Sequence, residues 1–129
     1  MRRVVVIDDD EMVAEVIAGL LQDQGYTTAI ANSGNVGVQL VLDTLPNVVV
    51  CDMRMPGMGG HEVIQILKNQ PTTSHIPVVV VTGFCDPEYF GVGDAFMTKP
   101  FKCDKLVATV DRMAKSPHAR PAPPRTDLN

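Results

Sequence analysis

The sequence predicts a doubly wound α/β domain, a parallel sheet with helices on both of its faces. Three observations carry that reading. Short β-branched runs at Val4–Ile7, Val48–Val50 and Val78–Val81 are apolar without alternation, the pattern of strands buried on both sides. Stretches with helical spacing of apolar residues separate them, which makes each connection a right-handed crossover. Each run also stops on a polar residue: Asp8 and Asp9, Asp52, then Thr82. In an open parallel sheet these ends share one edge, where ligands are held.

The first strand breaks into Asp8, Asp9, Asp10 and Glu11. Asp10 and Glu11 suit the acidic first turn of a helix, whereas Asp8 and Asp9 stand at the tip of a buried strand. Val13, Val16, Ile17, Leu20 and Leu21 give the first helix its apolar stripe, and Gly25 stops it. Tyr26 to Ala31 read as a modest second strand. Asn32, Ser33 and Gly34 form a turn with Ser33 a candidate N-cap, and the second helix places Val38, Val41, Leu42 and Leu45 inward before Pro46 ends it. The third strand leads into Asp52, after which Pro56, Gly57, Gly59 and Gly60 forbid its continuation.

A third helix is expected from about Gly60 to Gln70, burying Val63, Ile64 and Leu67. The fourth strand, Pro77 to Val81, ends on Thr82-Gly83. Phe84 to Gly93 hold Pro87, Gly91 and Gly93, so any helix there spans a turn or two. Ala95 to Thr98 form a fifth strand ending on Lys99-Pro100. A last helix, about Lys102 to Lys115, buries Leu106, Val107, Val110 and Met113. Residues 1–115 are read as one domain and 116–129, rich in Pro, as a disordered tail or linker stub.

Composition narrows the function. In 129 residues the formal charge is −4, which speaks against nucleic-acid binding as the main task. Three cysteines without metal-ligand or CxxC spacing suit a reducing cytoplasm. No signal-peptide pattern and no membrane-length apolar run is present, so a soluble, cytoplasmic protein is expected. His61, His75 and His118 are not clustered with carboxylates, which disfavours a transition-metal site. Cys51, beside Asp52 on a buried strand, should point away from it and be inert.

The strand ends bring Asp8, Asp9, Asp52, Thr82 and Lys99 to one place. Three neighbouring carboxylates repel unless a cation joins them, and hard oxygen ligands with room for water suit Mg²⁺. A carboxylate can act as nucleophile towards a phosphoryl group. The phosphoryl oxygens then need the charge of Lys99 and the hydroxyl of Thr82. The set is complete for phosphoryl transfer onto an aspartate.

IDDDE on the first strand, CDMRMPGMGG on the third, VVVVTG on the fourth and MTKPF on the fifth resemble the receiver domain of bacterial two-component response regulators, over residues 3 to about 115. The resemblance implies the flavodoxin-like strand order 2-1-3-4-5. It makes Asp52 the phosphoacceptor, Asp9 the direct Mg²⁺ ligand, Asp8 the holder of a metal-bound water, and the Arg54 carbonyl a further ligand. Thr82 becomes the switch hydroxyl, Lys99 the contact to phosphoryl oxygens, and Phe96 the aromatic switch residue. The Lys99-Pro100 bond is expected to be cis, as in the family. Such a protein is not a conventional enzyme: it catalyses its own aspartyl phosphorylation and slow autodephosphorylation.

The implied partners are a sensor histidine kinase or histidine phosphotransfer protein upstream and a protein target downstream, with no direct nucleic acid and no membrane insertion. A stand-alone receiver, signalling switch or phosphorelay intermediate, is the expected form. Between Thr82 and Lys99 the chain is several residues shorter than is usual in the family, so the helix normally found there is short or absent. Phe84 to Gly93 are accordingly expected to be mobile without phosphate and to order on activation. A haloacid-dehalogenase-type phosphatase is the rival reading. It takes Asp8-x-Asp10 as its nucleophile motif with Asp8 as nucleophile, and leaves Asp52 unexplained. A nucleotide-binding domain would need a Gly-rich phosphate loop after the first strand, and none is present.

Overall fold

The computed structural model describes residues 2–83 and 91–115. Five strands, β1 (Arg3–Ile7), β2 (Thr27–Ala31), β3 (Val48–Cys51), β4 (Val78–Thr82) and β5 (Ala95–Thr98), form one parallel sheet in the order β2-β1-β3-β4-β5. The described helices are α1 (Glu11–Gln22), α2 (Gly34–Thr44), α3 (Gly60–Lys68) and α4 (Cys103–Lys115). The expected order is therefore observed. The expectations for residues 84–90 and 116–129 lie outside the described residues.

Alternation along the central strands divides the core in two. Val5, Ile7, Val49, Cys51, Val78 and Val80 pack with Val41 of α2 and Val63, Ile64 and Leu67 of α3. Val4, Val6, Val48, Val50, Val79 and Val81 pack with Ala14, Ile17, Ala18 and Leu21 of α1 and with Leu106 and Val110 of α4. This explains the unbroken valine runs, since β1, β3 and β4 are covered on both faces. Each fully buried valine contributes roughly 1.5–3 kcal/mol, so burial on both faces stabilises the three central strands.

Two helices sit differently from the sequence reading. The buried stripe of α1 is Ala14, Ile17, Ala18 and Leu21, while Val16 is 54% and Met12 77% exposed. Small side chains at Ala14 and Ala18 let the helix lie close to the sheet. The larger Val13 and Leu20 pack at its margin. In α2 the expected inward Leu45 is the C-cap, left-handed at φ 47° and exposed, and Leu42 is half-buried. Close approach is again the reason: a Cβ on Gly37 would lie 2.6 Å from Ile7 Cδ1.

Smaller differences concern ends. α3 stops at Lys68 rather than Gln70, and β4 includes Thr82. In α4, Val107 and Met113 are only partly buried. Tyr26 falls just before β2, where it is buried and donates its hydroxyl to Asp111 Oδ1 at 2.5 Å, tying α4 to the far end of the sheet. Burial, and then that bond, pushes the phenol up to about 12.

Gly37→Ala tests the α2 contact. Alanine gains about 1 kcal/mol of helix propensity, but the Ile7 side chain stands 2.6 to 2.9 Å from the new methyl group. A net loss of about 1–2 kcal/mol in urea unfolding is expected, partly recovered by adding Ile7→Val. A net gain would show that Ile7 can move aside at little cost.

Candidate functional site

The carboxyl edge of the sheet brings Asp8, Asp9 and Asp52 together, with one carboxylate oxygen of each within 4.8 Å of the others. Strand order is the cause. β1 and β3 are neighbours with Ile7 opposite Cys51, so the residues that follow each strand leave side by side. The Asp52 N–H still donates to the Ile7 carbonyl at 2.9 Å, and the Asp8 N–H to the Ala31 carbonyl at 3.0 Å. Both acids therefore project from backbone that is held by the sheet.

The two buried acids are held differently. Asp8 Oδ1 accepts the Asp10 N–H at 2.9 Å, and Asp8 Oδ2 accepts from Lys99 Nζ at 2.8 Å. The Asp52 contacts are longer, 3.2 Å from Lys99 Nζ to Oδ2 and 3.4 Å from the Arg54 N–H to Oδ1. Asp9 is exposed. Asp10 does another job. It is the N-cap of α1, its Oδ1 accepting the N–H groups of Met12 and Val13.

Electrostatics follows from this burial. Burial raises the Asp8 carboxyl above its ordinary value, and the Lys99 hydrogen bond, the Asp10 N–H and the Lys99 charge only partly oppose it. Burial disfavours the Lys99 ammonium too, but the hydrogen bond to Asp8 and the charges of Asp52 and Asp8 outweigh it and hold the ammonium above its ordinary value. Lys99 pairs with Asp8 and Asp52, and the Asp9 carboxylate stands beside them, so carboxylates outnumber the ammonium in this cluster. Oxygen-only donors with a solvent-facing member suit a hard divalent cation such as Mg²⁺, so the residues present fit that ion.

The remaining predicted residues lie around this centre. Thr82, fully buried, ends β4, and its carbonyl accepts the Lys99 N–H at 2.8 Å. Phe96 pairs in register with Val80 and packs against the α2–α3 side of the core. By alternation Thr82 is on that same face, one strand over and two residues further on. The Lys99-Pro100 bond is cis. Cys51 is buried, and burial pushes its thiol far above the ordinary range. His61 is exposed.

Glycines shape the loop after Asp52. A Cβ on Gly60 would overlap the Asp52 carbonyl oxygen and stand 2.8 Å from Met53 Cα, so α3 starts directly against the backbone of the site. Gly57 adopts φ 73°, which favours glycine. Glu62 Oε1 accepts the Gly59 N–H at 3.3 Å at the helix start. One contributor was missed in the sequence. Asn32, read only as a turn residue, donates through Nδ2 to the Asp8 carbonyl at 2.9 Å. No local sequence signal marks this contact, which depends on where β2 ends against β1.

Residues 4–111 match the family model of the response regulator receiver domain. The chain is similar to the DNA-binding response regulator MtrA of Mycolicibacterium smegmatis, 31% identical over 94% of this chain and 54% of that protein. MtrA of Mycobacterium leprae is 32% identical over 84% and 49%. The chain thus spans about half the length of these curated relatives. Among solved structures it is similar to the signal receiver domain of a signal transduction histidine kinase from Syntrophus aciditrophicus, with TM-score 0.81 and 30% identity, covering 88% of this chain and 90% of that one. The chemotaxis protein CheY4 of Vibrio cholerae gives TM-score 0.80 and 26% identity, covering 88% and 98%. No described helix is long and apolar enough to cross a membrane.

The division of labour between Asp9 and Asp10 gives a sharp test. Asp10→Ala removes an N-cap and should cost about 0.5–2 kcal/mol of stability with little effect on Mg²⁺ affinity. Asp9→Ala should weaken Mg²⁺ binding and leave stability without metal nearly unchanged. Calorimetric titration and thermal melts of both variants check it, and equal losses of affinity would mean the acids are misassigned.

Proposed function

Since this chain belongs to the response regulator receiver family, we propose that it works as a switch that accepts a phosphoryl group on Asp52 from a phosphohistidine donor in a Mg²⁺-dependent reaction. The observation that carries the assignment is the contrast between the two buried acids. Asp8 has both oxygens engaged at 2.9 Å or less, whereas the Asp52 carboxylate meets the Arg54 N–H and Lys99 at 3.4 and 3.2 Å. A nucleophile must leave its hydrogen bonds to attack, and Asp52 gives up less. The same contrast disfavours Asp8 as the nucleophile of a phosphatase.

In the transfer an Asp52 carboxylate oxygen bonds to phosphorus as the donor's N–P bond breaks, and the bonding pair remains on the imidazole nitrogen. Lys99, already 3.2 Å from Asp52 Oδ2, follows the charge onto the phosphoryl oxygens. Thr82 offers its hydroxyl to one of those oxygens. Asp9 would hold the metal directly and Asp8 through a water molecule, with Asp52 and the Arg54 carbonyl as the further ligands. When bound, Mg²⁺ neutralises charge that builds on the phosphoryl oxygens. Slow autodephosphorylation is attack by water on the same phosphorus, with the P–O bond to Asp52 breaking.

A phosphoryl group adds about −1.5 to −2 charge at the sheet edge. Thr82 is drawn towards it, and Phe96, on the same sheet face, responds to the space that Thr82 vacates. The partners are a histidine kinase or phosphotransfer protein upstream and a protein target downstream. Nucleic acid is not among the direct partners of this acidic chain, whose formal charge is −4.

A small phosphodonor with Mg²⁺ should label the native protein, and chelation should prevent it. Asp52→Asn should abolish labelling with the fold preserved by circular dichroism. Mass spectrometry placing the acyl phosphate on Asp8 would replace this reading with the phosphatase.

A further inference from the structure

The ladder between β1 and β2 runs from Arg3 opposite Thr27 to Ile7 opposite Ala31, and the Asp8 N–H extends it to the Ala31 carbonyl. In a parallel ladder the next bond would run from the backbone N–H of residue 33 to the Asp8 carbonyl. By then β2 has ended, because Ser33 is the N-cap of α2. A side chain meets the carbonyl instead, Asn32 Nδ2 at 2.9 Å.

The peptide unit so held gives this bond its importance. The Asp8 carbonyl lies in the same rigid plane as the Asp9 N–H, so fixing that oxygen fixes the direction in which Asp9 departs. Asp8's own carboxylate is already secured by Asp10 and Lys99. Asp9 is exposed, and among the described residues no hydrogen bond or ion pair reaches its carboxylate. Its aim therefore depends on its backbone.

The geometry points to Asn32 as a positioning residue for divalent-cation binding: its side-chain amide holds the Asp8-Asp9 peptide so that the Asp9 carboxylate faces the space shared with Asp8 and Asp52. The role rests on the metal reading above and adds a residue from the β2–α2 turn to it. Asn32 does not touch the ion. It acts as outer partners of metal ligands do, by restricting where a ligand can point.

Calorimetric titration of Mg²⁺ into the unphosphorylated protein tests this, with melts in chelator alongside. Removing outer partners of metal ligands costs about 10–100-fold in affinity, and Asn32 acts through backbone, so a loss of about three- to tenfold is expected for Asn32→Ala. Asn32→Ser keeps a turn-favouring residue too short to reach the carbonyl and should lose as much, which guards against a misfolded alanine variant. Ser33→Ala removes the α2 cap without touching Asp8. It should lower the melting temperature while keeping native Mg²⁺ affinity. Less than about threefold weakening in folded Asn32 variants, or an equal loss in Ser33→Ala, overturns the positioning role. If the native protein itself binds no Mg²⁺, the metal reading falls, and the role of Asn32 with it.

Discussion

The structure turns on the Lys99 ammonium lying between Asp8 and Asp52, 2.8 Å from one carboxylate and 3.2 Å from the other. Two acids at the tips of adjacent buried strands cannot both be ionised without a cation. At an effective dielectric constant near 20, an ion pair at 2.8 Å gains about 6 kcal/mol, similar to the several kcal/mol of desolvation that each buried ion costs. The near balance is visible at Asp8, whose carboxyl remains raised despite the lysine. Lys99 makes the acid cluster tolerable without making it comfortable, and that leaves a demand for further positive charge.

Topology makes this bridge possible. The acids come from β1 and β3, which are neighbours, and the lysine follows β5, separated from β3 by β4. With strands roughly 4.8 Å apart, only a long side chain leaving the end of β5 can cross the end of β4. The backbone around the crossing is fixed by the Lys99 N–H bonded to the Thr82 carbonyl. On the other side, Gly60 lets α3 begin against the Asp52 carbonyl, and Gly37 lets α2 press on Ile7. A side chain at either glycine would prevent these approaches, of α3 to the Asp52 backbone and of α2 to the Ile7 side chain.

Much of this was legible in the sequence, for a physical reason. A parallel strand buried on both faces has to be apolar throughout, so a polar residue at its end marks the sheet edge, and four such ends located Asp8, Asp52, Thr82 and Lys99. Helix faces were harder to read. The large apolar residues of α1 suggest an inward side that includes Val16, yet Ala14 and Ala18 face the sheet and Val16 faces outward. Close packing selects small residues, and hydrophobicity alone does not report them. Leu45 misled for a different reason, since the chain turns left-handed there before Pro46. Asn32 was invisible as a contributor because its contact depends on where β2 stops against β1, a matter of register that local composition does not encode.

The acids at this edge differ in what holds them, and that difference orders their roles. Asp8 is fixed at four points: both carboxylate oxygens, its N–H and its carbonyl. Such a group is suited to holding a fixed geometry, because moving it would break several bonds at about 1 kcal/mol or more each. Asp52 has its backbone N–H fixed and its carboxylate in longer contacts with Lys99 and the Arg54 N–H, which cost less to exchange than those of Asp8. Asp9 keeps an exposed carboxylate on a restrained backbone, the condition under which a ligand can meet a hydrated ion without prior desolvation. Asp10 is spent on starting α1. Four successive or neighbouring acids of identical chemistry are thus made unequal by hydrogen bonds that come from the ends of strands.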